Sequence, residues 1–208
     1  MSMTKAGIII VLLNLIVVAT ALFLGETPDE YFAEGALATY ISFIQLALIS
    51  VLCWFVFRIK RTAIWIVICA GFAFLALDEV IMIHEKIDMF IHWLFRMEET
   101  ALTDRIDDLV ILAYAAVGLG VLYRYRKEFY SLKKAAPALI AGVLFMGIMV
   151  AGDIISNRAD ILTDPLLRSW VSAMEDAFKL FAEGAFLFAA YYSYRMNKVS
   201  FPGKWQVV

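Results

Sequence analysis

Residues 61–85 read RTAIWIVICAGFAFLALDEVIMIHE. After the basic pair-mark of Arg61, the run from Ala63 to Leu77 holds no charged side chain, and then Asp78 and Glu79 arrive together. A helix needs about 20 apolar residues to cross about 30 Å of hydrocarbon. The run is therefore a membrane span that carries acid near its far end. A carboxylate in hydrocarbon is costly, so an ionisable residue inside a span marks a functional site by default.

Working outward, six segments have the length and character of spans: 7–24, 36–57, 62–83, 106–123, 136–157 and 169–194. The first follows Lys5, but its apolar core is too long for a signal peptide and no small-residue cleavage pattern follows Phe23. The whole chain agrees. It is 63% hydrophobic and 18% charged over 208 residues, with a mean hydropathy of +0.80, far from the composition of a soluble domain. A net charge of -2 offers nothing to a nucleic acid. With no linker, repeat or low-complexity tract, residues 1–208 form one transmembrane domain. Cys53 and Cys69 sit alone in apolar runs, where a thiol is a small packing group.

Lys and Arg set the orientation. One side collects Lys5, Arg58, Lys60, Arg61, Arg124, Arg126, Lys127, Lys133, Lys134, Arg195, Lys198 and Lys204. Of the 20 acids, Glu128 alone falls there. Both termini are then cytoplasmic, in the plasma (inner) membrane. Trp54, Trp65, Tyr123 and Tyr125 belt the inner face, while Tyr31, Trp93 and Trp170 belt the outer one.

At 1.5 Å per residue the inner basic flanks act as rulers, placing Asp78, Asp108, Asp153 and Lys179 about 24–25 Å up. Asp176 lies a turn above Lys179, and Glu183 a turn below. On a straight third helix Asp78, Glu85 and His92 share a face, and Glu79 points elsewhere. On the sixth, Ser172, Asp176, Lys179 and Glu183 make one stripe. The first two spans offer only Asn14, Ser42 and Gln45. The expected fold is all-α, an integral membrane protein with six transmembrane helices, N-in and C-in. Spans three to six form a four-helix bundle around a polar centre, with spans one and two alongside.

Several residues have local explanations. Asp104 and Asp107 fit an acidic variant of a capping box, Asp164 before Pro165 fits an N-cap with proline at N1, and Asp153 has Arg158 nearby. The charge of the cluster is not explained that way. Asp78, Asp108, Asp153, Asp176 and Glu183 outnumber Lys179, and buried charges persist only when paired, protonated or bound to a cation. The expected metal ligands are Asp78, His84, Glu85, Asp107, Asp108, Asp153, Asp176 and Glu183. Carboxylate oxygens favour Ca²⁺, Mg²⁺ or Mn²⁺ over Zn²⁺ or Fe. His84 lies about 10 Å above the layer by the same rise, at the outer mouth, with His92 higher still. No Glu-x-x-His pair, His-Glu-x-x-His motif or histidine-rich set occurs, which removes di-iron carboxylate bundles, zincins and membrane desaturases.

Three functions remain. One is a metal-dependent enzyme acting on a lipid or lipid-linked substrate from the outer side, with Asp78, Glu183 and Lys179 as catalytic groups and metal-activated water as nucleophile. Another is a proton or cation translocator. The third is a non-catalytic subunit of a larger membrane complex, whose carboxylates bind a membrane-protein partner, a pigment or a lipid.

Overall fold

The computed structural model describes residues 2–33, 35–96, 106–130, 133–156 and 163–200. It is all-helical, 87% helix, with no strand among the described residues. In chain order the helices are α1 (Met3–Leu24), α2 (Leu37–Lys60), α3 (Ala63–Ile81), α4 (Ile83–Phe95), α5 (Ile106–Arg124), α6 (Arg126–Tyr130), α7 (Ala136–Ser156) and α8 (Pro165–Ser200). Among the described residues, four stretches are long and apolar enough to cross a membrane: Met3–Leu24, Leu37–Lys60, Ala63–Ile81 and Ala136–Ile155. The apolar part of α5, Leu109–Arg124, is shorter. In α8 the apolar character is diluted by Glu175, Asp176, Lys179 and Glu183.

Local chemistry sets the ends. Ser2 caps α1 by accepting from the amide of Lys5 at 3.3 Å. Asp164 accepts from the amide of Leu166 at 2.9 Å, with Pro165 opening α8, because proline at N1 gives up only an amide the helix leaves unbonded. Asp104 lies outside the described residues.

The largest departure from the expected helices is at Met82. The sequence predicts an unbroken span over 62–83 running on towards His92. Instead α3 stops at Ile81, Met82 turns left-handed at φ 55° and ψ 55°, and α4 starts afresh. A side-chain-bearing residue in that region costs about 1–2 kcal/mol. The turn is held by Asp78, whose carbonyl accepts from the Met82 amide at 2.7 Å and whose Oδ1 accepts from the His84 amide at 2.9 Å. The redirected α4 is amphipathic. Met89, Phe90, Trp93 and Phe95 are exposed on it, while His92 is buried.

Packing centres on α8, which lies directly against α7, α2 and α1; α2 also packs on α3, and α4 on α5. One apolar core joins Leu46, Ile49, Cys53 and Val56 of α2 to Ile64 and Trp65 of α3 and Ala189 of α8. A second joins Val17 and Ala21 to Ala173 and Leu180. Both cysteines are free thiols, and Cys53 serves as core packing. This differs from a bundle of spans three to six with the first two alongside. The first two helices pack on α8 itself, because the small residue Gly184 lets α1 and α2 approach it closely: a Cβ there would stand 2.5 Å from Asn14 Nδ2 and 3.1 Å from Ile10 Cγ2. Away from these contacts the helices present large apolar side chains outward, such as Ile16, Phe23 and Ile140.

At the basic end, Glu128 of α6 pairs with Lys60 of α2 and accepts from Trp65 Nε1 at 3.4 Å. At the other end, Asp29 Oδ1 accepts from Ser169 Oγ of α8 at 2.6 Å. That bond holds the Asp29 carboxyl below the usual carboxylate range.

Candidate functional site

The stripe on α8 forms as its spacing requires, since residues three and four apart share a helix face. Lys179 is met from α3. Its Nζ donates to Glu79 Oε1 at 2.6 Å. Glu79 is thus the acid of α3 that meets Lys179, whereas helical rotation alone favours Asp78.

Glu183 is 2% exposed. Its Oε1 accepts from Ser42 Oγ of α2 at 2.6 Å, and its Oε2 is buried without a hydrogen-bond partner. Beside it a polar chain ties α1, α2 and α8 together. Asn14 Nδ2 donates to the Leu180 carbonyl at 2.7 Å, and Gln45 Nε2 donates to Asn14 Oδ1 at 2.9 Å. Gln45 Oε1 is buried and also lacks a donor. Ser42 and Gln45 stand one turn apart on α2, and Gln45 Oε1 lies 3.3 Å from where a Gly184 Cβ would be. The junction therefore contains two acceptors with no hydrogen-bond donor among the described residues. Buried polar atoms are nearly always paired, so two such atoms at one helix junction call for an explanation.

Asp78 is placed otherwise. Both its oxygens are taken by His84: Oδ1 by the amide, and Oδ2 by Nδ1 at 3.0 Å. The expected separation between His84 and the acid layer is corrected by the break at Met82, which folds the imidazole back onto the end of its own preceding helix. Here Asp78 acts as the cap of α4. His92, expected at the rim, is 8% exposed, with Nδ1 3.1 Å from both the carbonyl and Oδ1 of Asp88. Glu85 is half-buried in the first turn of α4, and Asp153 is half-buried on α7. Near Asp153 the two last helices close up, with Gly152 facing Glu175 Cβ at 3.2 Å from an added Cβ. The backbones of Asp107 and Asp108 lie in the first turn of α5, and their side chains fall outside the described residues, as do Asn157 and Arg158.

Among the described residues, no group of three or more His, Cys, Asp or Glu is arranged to hold a metal ion. The ligand set expected from depth is not brought together there. Depth fixes the height of a side chain along a helix, whereas a metal site also needs convergence across the bundle. Asp78 has turned to its own chain, and Glu183 faces α2.

The residues that meet Glu183 were visible as the few polar side chains of the first two spans. Their burial is the informative sign. Thr39, Ser42, Gln45 and Ser50 of α2 and Glu183, Ser193 and Asn197 of α8 are all buried, on two helices that pack together. They run from one end of the pair towards the other.

A family model described as "Domain of unknown function (DUF8692)" matches residues 5–194. The chain belongs to that family. No curated protein and no solved structure matches it.

Proposed function

We propose that the protein carries protons, or another small monovalent cation, through a membrane, with Glu183 as the carrying group. One observation supports this above all: Glu183 is buried at the junction of α1, α2 and α8 with one carboxylate oxygen unpartnered, and the nearest stripe cation, Lys179, is engaged by Glu79. A proton or small cation on Oε2 supplies the missing partner and balances the charge. Intramembrane acids paired with bases on facing helices are a recurrent feature of proton relays and ion paths. The buried polar stripe of α2 and α8 gives a carried ion polar footholds on both sides of Glu183. Ser50 Oγ donates to the Cys69 carbonyl at 2.9 Å, and Asn197 Nδ2 to the Ser193 carbonyl at 2.7 Å.

In this reading α1, α2, α3, α5, α7 and α8 are six spans with both termini cytoplasmic, and α4 lies along the outer interface with its Trp93 face in the head groups. The basic ends of α2, α5 and α8 support the orientation, and Glu183 then lies in the outer half of the bilayer of the plasma (inner) membrane. The apolar outer faces of the helices contact lipid.

The test is ion flux in liposomes. Purified protein should dissipate an imposed pH or Na⁺ gradient, and Glu183→Gln should abolish this while retaining the wild-type melting temperature within a few degrees. Absence of flux in the wild type overturns the proposal. A stoichiometric divalent metal in the purified protein would instead favour the metal-dependent reaction on a lipid substrate, with Asp107, Asp108 and Asp153 completing the ligands.

A further inference from the structure

A second site lies at the opposite, basic end of the helices. Between the start of α3 and the α5–α6 junction is a cavity of about 650 Å³, lined by Thr62, Ala63 and Ile64 on one side and residues 123–128 on the other. Its volume is in the range of small-molecule sites, about 300–1,000 Å³. The lining is strongly cationic. Arg124, Arg126 and Lys127 face it, and none of them has an ion-pair partner among the described residues. The one acid there, Glu128, is neutralised by Lys60.

Two further features give the cavity its chemistry. The guanidinium groups are held over rings, Arg124 at 5.5 Å from the Tyr125 centroid and Arg126 at 4.5 Å from that of Tyr123. Arg126 is steadied by donating to the Tyr123 carbonyl at 3.1 Å. Opposite them is the N-terminus of the 19-residue α3, whose N-cap Thr62 makes no side-chain capping bond and whose Oγ1 is buried without a partner. Amides at a helix start and the helix dipole favour an anion, and Arg presents forked donors suited to phosphate oxygens. The threonine hydroxyl is a donor in want of an acceptor.

We propose that this cavity binds a phosphate group, carried by an anionic lipid head group or by a soluble phosphate, with Arg124, Arg126 and the start of α3 as its ligands. The position between exposed Tyr123 and the apolar helix bodies suits a head group whose acyl chains stay in the bilayer. The charge gives a membrane protein a preference for anionic lipid on its basic face.

The experiment uses the full chain in mild detergent and reads melting temperature and lipid adducts by native mass spectrometry. The probes are phosphatidylglycerol, phosphatidylcholine and inorganic phosphate. Phosphatidylglycerol should raise the melting temperature and remain bound where phosphatidylcholine does not. An equal rise with inorganic phosphate would identify the soluble source. In either case Arg124→Gln/Arg126→Gln should weaken binding at least about tenfold, whereas Lys133→Gln/Lys134→Gln, outside the cavity, should not. Arg126→Lys, which keeps the charge and loses the fork, should fall between. The proposal is overturned if neither phosphatidylglycerol nor inorganic phosphate binds the wild type, if phosphatidylcholine binds as well as phosphatidylglycerol while inorganic phosphate does not bind, or if the two double variants lose binding equally. Should the arginine double variant fail to fold, Arg126→Gln alone must still weaken binding against the lysine control.

Discussion

Lys179 of α8 and Glu79 of α3 meet at 2.6 Å, tying the polar stripe of α8 to the end of α3. The one ammonium of the α8 stripe is occupied from the third span, so Glu183, one turn along, is left to Ser42 and to whatever fills its second oxygen.

Removing one partner of that pair should be worse than removing both. Glu79→Gln deprives a half-buried ammonium of its hydrogen-bonded carboxylate and leaves it to Glu183 and Asp176 of its own helix, and is expected to lower stability by about 1–3 kcal/mol. The lower end is favoured because the Lys179 side chain keeps 30% exposure. Glu79→Gln/Lys179→Met should recover most of the loss. Thermal melts of the two single variants and the double variant check this. Strict additivity of the single effects would show that the pair is not coupled.

Gly184 is expected to tolerate no side chain. An alanine Cβ would meet Asn14 Nδ2 at 2.5 Å and force α1 and α2 away from α8. Overpacking of this kind costs about 1–3 kcal/mol, and the Asn14–Gln45 bond should be lost with it. Gly147→Ala, where nothing lies within 4 Å, serves as the control and should be neutral or slightly stabilising. Equal melting temperatures for the two variants would contradict the close crossing.

The break between α3 and α4 separates backbone from side-chain effects. Met82→Gly removes the left-handed cost and should stabilise the protein by up to about 1 kcal/mol. Asp78→Ala removes the cap on α4 and should destabilise it by about 1 kcal/mol. Asp78→Ala should also raise hydrogen exchange across residues 83–86 without disturbing α8. A loss of ion flux in that variant would return Asp78 to the working site.

The contact between Asp29 and Ser169 carries a pH signature. The Ser169 hydroxyl is the main cause of the lowered Asp29 carboxyl, against a partial opposing effect of burial. A carboxyl whose folded value lies below its ordinary one contributes stability above that ordinary value, 3.8, and loses it as pH falls towards the folded value. Exchange in the loop 26–33 should thus rise below about pH 4. In Ser169→Ala the loop should exchange faster above that pH, and the acid step should shrink.

Much of the fold could be read from hydropathy and flanking charge. Each of the six segments predicted as spans is largely helical, and four of the described helices are long and apolar enough to cross a membrane, because a helix satisfies the backbone of a stretch such as 63–77 in an apolar setting. The Asp164–Pro165 start of α8 was equally legible, since its chemistry is local. The turn at Met82 was not. Nothing in Ile-Met-Ile signals a left-handed residue, and the stabilising carboxylate comes from four residues earlier. That one turn moved His84 onto Asp78. That Glu79 and not Asp78 meets Lys179 has a different reason: the acid that reaches a facing side chain depends on where the facing helix stands, and rotation about a single axis says nothing of that. Asn14, Ser42 and Gln45 carry no charge to mark them in the sequence, yet a buried amide or hydroxyl among apolar neighbours needs a partner as a carboxylate does.

The carrying role of Glu183 is tested most directly by ion flux across protein-containing liposomes under an imposed pH gradient and, separately, an imposed Na⁺ gradient, wild type against Glu183→Gln. Flux through the wild type and none through the variant, with both folded, is the predicted result. Equal flux through the two, or none through either, would contradict a carrying role for Glu183.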